Sequence, residues 1–300
     1  MHFCVLLKNT ISRSMFTLNC KGKIVSLQTP LVMGIINATP DSFYQVKKTH
    51  DIHNVYTLAH SMVDDGADIL DVGGQSTRPG STRVSADEEI NRVIPVIERL
   101  HAQYPQVLIS VDTYHAEVAA KAVEAGASIV NDVSGGELDD RMIATVAFLG
   151  VPYICMHMQG RPETMQDKPF YKDVVQELIR FFVGKADACL QAGIKDLIID
   201  PGFGFGKTAI HNFTLLKNLS AFKIFERPIL AGLSRKGTIY KTLGIPVEES
   251  LNGSTVMHTL AIQNGANIIR VHDVKEAKEV ITLMTAYKKA APDYGAALKI

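Results

Sequence analysis

The chain has 300 residues, 46% of them hydrophobic and 21% charged, with 22 Gly and 12 Pro; this is ordinary globular composition and excludes a disordered, collagen-like or disulfide-dense protein. Lys plus Arg and Asp plus Glu both number 31, so no global field recruits nucleic acid or an anionic membrane, and charge must act locally at a site. No apolar run approaches the roughly eighteen residues of a membrane span, the opening segment is too short and interrupted for a signal peptide, and Cys4, Cys20, Cys155 and Cys189 are too scattered for a zinc cluster or disulfide framework, so a cytosolic protein is expected.

In chain order, residues 1–15 read as an N-terminal extension, with Met15 as an alternative start. FTLNCKGKIVSL (16–27) alternates apolar and polar residues around Lys21-Gly22, which predicts a hairpin capping the bottom of a barrel. Eight apolar segments then come at 31–36, 65–72, 107–111, 125–133, 151–156, 192–200, 228–233 and 264–271. Between and after them, amphipathic helices are predicted at 53–65, 85–103, 115–125, 137–148, 170–191, 208–219, 248–264 and 275–287.

Four of the apolar segments repeat one pattern: DGADILDV, AGASIVNDV, AGIKDLIID and NGANIIRV. A glycine closes a helix in the left-handed conformation, and a short run rich in β-branched residues comes next as a strand buried on both faces. Strand and helix alternate eight times at under about forty residues per unit, and right-handed crossovers repeated so often close into a ring. The predicted fold is therefore α/β, a (β/α)8 TIM barrel with a short N-terminal β-hairpin, forming one domain over 16–290 with a tail at 291–300.

In such barrels the working residues sit where the strands end. Here these are Asn37, Asp71, Asp112, Asn131, His157, Asp200, Ser234 with Lys236, and Arg270 with His272. Any one of them alone reads as a cap of the next turn. Eight polar ends at one mouth are costly to bury without a ligand. Asp112, Asn131 and Asp200 suit a flat heterocycle with several N–H donors, while Lys236, Arg270 and His272 come after the last two strands, where barrels place a phosphate. An aminated heterocycle bearing a phosphate or diphosphate satisfies both halves.

Seven longer motifs run through these positions: MGIINATPDSF (33–43), DVGGQSTRPG (71–80), SVDT (110–113), MHMQG (156–160), DPGFGFGK (200–207), GLSRKG (232–237) and IIRVHDVKE (268–276). In them, over about residues 30–287, the chain resembles the dihydropteroate synthase family. The resemblance implies a TIM barrel that joins 6-hydroxymethyl-7,8-dihydropterin diphosphate to 4-aminobenzoate, releasing pyrophosphate with Mg²⁺ required, by a dissociative displacement. It also implies inhibition by sulfonamides and a homodimer built on helices around 248–287.

Position by position, the resemblance implies that Asp112, Asn131, Asp200 and Lys236 hold the pterin between apolar walls at Met156 and Phe205, with Gly232, Ser234 and Val271 lining the same site. Asn37 would bind Mg²⁺ and a pyrophosphate oxygen, and Arg270 and His272 the remaining phosphate charge. Thr77, Arg78 and Pro79 would cover the aminobenzoate, against which Phe205 also packs. Asp112, Lys236 and Arg270 are the candidate catalytic residues, Asp112 stabilising a pterin methylene cation. Segments 38–52 and 74–84 are candidate lids.

The chain departs from the family pattern at Tyr44 to Lys48 in the first lid, at Gln75 where Glu is usual, and at Gly237 where Ser is common. Three rival readings stay open: a methyltetrahydrofolate methyltransferase type of pterin-binding barrel, which lacks the STRPG and SRK loops, a Schiff-base aldolase using Lys236, and a pterin-binding module without turnover. The alternating glycines of PGFGFGK lack the spacing of a nucleotide-binding P-loop and predict a tight turn presenting Phe205.

Overall fold

The computed structural model describes residues 16–38, 51–75, 83–161 and 164–290. Thr77, Arg78, Pro79, the first-lid residues 44–48 and both chain ends lie outside them.

The hairpin forms as expected, with β1 (Thr17–Cys20) antiparallel to β2 (Lys23–Ser26). Its turn places Lys21 and Gly22 at φ 53° and 89°. Eight parallel strands come next: β3 (Leu31–Asn37), β4 (Ile69–Gly73), β5 (Leu108–Asp112), β6 (Ile129–Asp132), β7 (Tyr153–Met156), β8 (Leu197–Asp200), β9 (Leu230–Ala231) and β10 (Ile268–Val271). The ladder runs β8-β7-β6-β5-β4-β3-β10-β9, and a parallel bridge from Ile199 to Ile229 joins its two edges into a ring. The helices are α1 (Asp51–Asp64), α2 (Ala86–Gln103), α3 (Ala116–Glu124), α4 (Met142–Leu149), α5 (Val174–Ala192), α6 (Ala209–Lys217), α7 (Gly237–Leu243), α8 (Leu251–Asn264) and α9 (Val274–Lys289). No described helix is long and apolar enough to cross a membrane.

The period-two alternation of a strand explains the two cores. Val32, Leu70, Ile109, Val130, Cys155, Ile199, Ala231 and Ile269 face outward and pack with the helices in one large cluster. The inward parity starts apolar: Met33, Ile69, Leu108, Ile129, Ile154, Ile198, Leu230 and Ile268 fill the lower throat. Leu18, Cys20 and Leu27 of the hairpin segment close it from below, so the hairpin shields the floor of the barrel from water. Two residues further along, the inward parity turns polar on β4, β5, β6, β8 and β10, with Asp71, Ser110, Asn131, Asp200 and Arg270.

Several predicted boundaries shift for local reasons. The helix expected from 137 begins at Met142, because Asp132 Oδ1 accepts from Ser134 N (2.8 Å) and Oδ2 from Gly136 N, holding that stretch in turns. The one expected from 170 begins at Val174, where Asp173 caps the N–H groups of Val175 and Gln176. The run expected as a six-residue strand at 228–233 is a strand only over Leu230 and Ala231, with Ile229 adding the bridge to Ile199, and a 3₁₀ helix forms at Leu219–Phe225.

Candidate active site

The second inward layer carries the chemistry. Asp71 of β4, Asn131 of β6 and Arg270 of β10 come from alternate strands and meet inside the ring, in the layered packing of such barrels. Asn131 Nδ2 donates to Asp71 Oδ2 (3.0 Å), and Arg270 Nε donates to the same oxygen (2.6 Å). The far end of the guanidinium, NH2, donates to Asp112 Oδ2 on β5 at 2.7 Å. Asp200, on the same inward parity of β8, accepts from Gly202 N through Oδ1 (2.8 Å), which leaves its other oxygen toward the throat.

Burial pushes the Asp112 carboxyl up to about 7, against the pull of Arg270 and with the help of Asp71, Asp132 and Asp200. Burial likewise raises Asp200, with Lys236 opposing. The Lys236 ammonium is lowered by burial to about 8, with Asp200 opposing. Its Nζ donates to Phe203 O and stands 4.7 Å from the centroid of the Phe205 ring. Phe205 and Met156 share one small apolar cluster with Tyr114 and Val133 at the mouth. Gly232 leaves room there: a Cβ on it would lie 3.7 Å from Lys236 Nζ and 3.9 Å from Arg270 Cβ.

Ser234 and His272 stand together, Oγ and Nδ1 3.0 Å apart. Burial, reinforced by Arg270, lowers the His272 imidazole to about 4, so at neutral pH it offers a hydrogen bond and no positive charge. Arg270, expected to meet phosphate, is here paired with two carboxylates. The expectation that the Val271 side chain lines the site is not met: it has the outward parity and lies buried in the helix-facing core. His157 faces outward as well, its ring edge-on to Phe181 at 4.8 Å.

No sequence signal marks Lys207 for a role. Its fully buried Nζ meets His157 Nδ1 (3.0 Å) and donates to the carbonyls of His157 (3.2 Å), Gly202 and Phe205 (2.9 Å each). It clamps the glycine-rich loop behind Phe205. That loop requires glycine, since Gly202 and Gly206 have φ 67° and 62° and a Cβ on either would sit 2.0 Å from His157 O or 2.4 Å from Gln159 O. At the second lid, Gln75 Nε2 donates to Tyr114 Oη (2.6 Å) while its Oε1 accepts from Val84 N (3.3 Å). The neutral amide thus ties Gln75 to Val84 and to Tyr114 of the site wall.

No group of three His, Cys, Asp or Glu among the described residues is arranged to hold a metal. Mg²⁺ that arrives on a diphosphate keeps phosphate oxygens and waters as ligands and asks the protein for only one or two oxygens. Asn37, ending β3 on the inward parity, fits that smaller requirement with a neutral amide oxygen.

The throat joins carboxylates, an amide and buried cations beside aromatic walls, and the model of the family described as "Pterin binding enzyme" matches residues 33–272, which makes this chain an enzyme of the pterin-binding class. The dihydropteroate synthase of Escherichia coli K12 is 44% identical over 268 residues, covering 89% of this chain and 94% of its own length. The Yersinia pestis dihydropteroate synthase, solved with a sulfonamide drug, has TM-score 0.86 and 40% identity over 92% of this chain and 100% of its own. The Xanthomonas albilineans dihydropteroate synthase, solved with 7,8-dihydropteroate, has TM-score 0.83 at the same identity and coverage. The chain belongs to the dihydropteroate synthase family.

Proposed function

We propose that this enzyme condenses 6-hydroxymethyl-7,8-dihydropterin diphosphate with 4-aminobenzoate, giving 7,8-dihydropteroate and pyrophosphate, as a cytoplasmic homodimer. The observation that carries the substrate reading is the buried layer in which Asp112, Asn131 and Asp200 present acceptors beside Lys236. Such a set matches the amino-imine edge and ring N–H groups of a pterin, with Met156 and Phe205 as its walls. Mg²⁺, held by Asn37 and the substrate's own phosphates, would neutralise the leaving diphosphate.

The chain's residues then act by position and charge. Arg270 turns from Asp112 to the diphosphate as the heterocycle takes over that carboxylate, and His272 donates a neutral hydrogen bond beside it. The bond between the pterin methylene carbon and the diphosphate oxygen breaks, its electron pair leaving with pyrophosphate. Asp112 stabilises the cation left behind. The neutral aromatic amine attacks that carbon, forms the C–N bond and releases its proton to solvent. No protein nucleophile is required, and the apolar walls keep water from the cation.

The test is pyrophosphate release by the intact chain with the pterin diphosphate, with and without 4-aminobenzoate and Mg²⁺. Release that needs all three, and that sulfonamides suppress in competition with 4-aminobenzoate, is expected. Pterin binding without aminobenzoate-dependent release would overturn the reading in favour of a binding module. The homodimer is proposed on the exposed apolar side chains of α8 and α9, Val256, Leu260, Leu283 and Tyr287. Sedimentation at micromolar concentration should give twice 32.8 kDa, and a monomer would refute it.

Gly237 is the departure with a direct kinetic consequence. Its φ lies outside the left-handed region, and an added Cβ would meet nothing nearer than Tyr240 Oη at 3.5 Å. Gly237→Ser therefore fits and supplies the hydroxyl that relatives are expected to offer the aminobenzoate carboxylate. A net hydrogen bond of about 0.5–1.5 kcal/mol predicts a KM for 4-aminobenzoate roughly 2- to 10-fold lower, with kcat within about twofold. Steady-state kinetics in varied aminobenzoate check it.

A further inference from the structure

Asp71 is the most buried charge of the throat, with 0% of its side chain exposed, yet it is too deep to be the primary contact of a ligand at the mouth. Both its donors, Asn131 Nδ2 and Arg270 Nε, converge on Oδ2, while Oδ1 has no hydrogen-bond partner. A half-satisfied buried carboxylate is costly to keep and calls for a reason. Its two partners are both proposed ligand residues, and its effect on each comes from hydrogen-bond chemistry. A carboxylate only accepts, so Asn131 must turn its NH₂ toward Asp71, and the atom left to face a ligand is Oδ1, an acceptor. Arg270 is gripped at Nε, the base of its fork, while its NH2 end rests on Asp112, a group that a pterin would claim.

We infer that Asp71 is a positioning residue that sets the polarity of the pterin wall and the pivot of Arg270: it locks Asn131 as an acceptor for a ring N–H and holds Arg270 by Nε while the guanidinium tip passes from Asp112 to the diphosphate. This deepens the proposed function and rests on it for the identity of the ligand. One charge thereby couples recognition of the heterocycle to recognition of its leaving group, because the tip is freed only when the ring displaces it.

The decisive variant is Asp71→Leu, which keeps a similar volume and removes both oxygens, whereas an Asn amide oxygen in the place of Oδ2 would still accept from both partners. At pH 8 its kcat/KM for the pterin diphosphate should fall at least tenfold, while KM for 4-aminobenzoate stays within about twofold. The acid limb of kcat/KM against pH should also move to lower pH, since Asp112 loses a like-charged neighbour. Unchanged kcat/KM and acid limb, or equal losses for both substrates, would overturn the proposal. If that variant does not fold, the pair Asn131→Asp and Asp71→Asn/Asn131→Asp decides. The single change sets two carboxylates together, whereas the double change restores a donor–acceptor pair that still faces the ligand with an acceptor. At least tenfold recovery of affinity for 6-hydroxymethylpterin by calorimetry is expected, and no recovery refutes the role. Calorimetry needs no turnover, so failure of the wild-type condensation assay counts against the proposed reaction and leaves the Asp71 result separately readable.

Discussion

Arg270→Ala should weaken the pterin diphosphate far more than 7,8-dihydropteroate, and should unfold at a markedly lower denaturant concentration than the parent chain. Two effects meet at this side chain. Removing a charged donor from a phosphate contact costs about 1.5–3 kcal/mol, roughly 10- to 150-fold in affinity, and the product has no diphosphate to lose it on. Removing it also leaves Asp71 and Asp112, 0% and 8% exposed, without their cation, and breaking a buried pair from one side typically costs about 3–5 kcal/mol.

The stability loss has a defined pH dependence. Without Arg270 the Asp112 carboxyl, already raised by burial, rises further, so its folded-state pKa stands well above that of the unfolded chain. The destabilisation is then largest above that pKa, where the charge must stay buried, and shrinks as pH falls and the group takes up a proton. Denaturation at pH 8 and pH 6 should show the variant closer to the parent at pH 6. Equal loss of diphosphate and product affinity would contradict the assignment of Arg270 to the leaving group.

The second large effect is a narrow pH optimum that depends on Lys236. Asp112 has to be ionised to accept pterin N–H groups, and burial puts it at about 7, so kcat/KM should fall about tenfold per pH unit below that. Lys236 has to be protonated to hold the ring oxygen and nitrogen, and burial puts it at about 8, so kcat/KM should also fall above that. The product of the two fractions peaks between the two values. Lys236→Met should lower the peak on the order of 100-fold and abolish the alkaline limb while leaving the acid limb in place. Ionisation of the diphosphate is common to both chains, which makes the difference between their profiles the readout. An alkaline limb that survives in the methionine variant would remove Lys236 from that role.

Much of this site was legible in the chain because a buried parallel strand has only two faces. Once β-branched runs after glycine-closed helices mark eight strands, residues such as Asp112, Asn131, Asp200 and Arg270 fall near their carboxyl ends whatever the side-chain rotamers are. The hairpin was equally plain, since Lys21-Gly22 between alternating residues requires a tight turn. Parity was the weak point. Val271 and His157 stand one residue from inward positions, and one step along a strand moves a side chain from throat to helix layer.

By itself, then, the order of residues determined the ring of eight strands, its sealed floor and the membership of the polar mouth, because these depend on periodicity and turn chemistry within about forty residues. Only the closed barrel decided who pairs with whom. Asp71 and Arg270 are 199 positions apart, and Lys207 and His157 are 50 apart, and each pair meets through contacts that no local pattern encodes. The charge states divide the same way: Asp112, Lys236 and His272 shift because burial strips water from them, and burial is a property of the assembled throat.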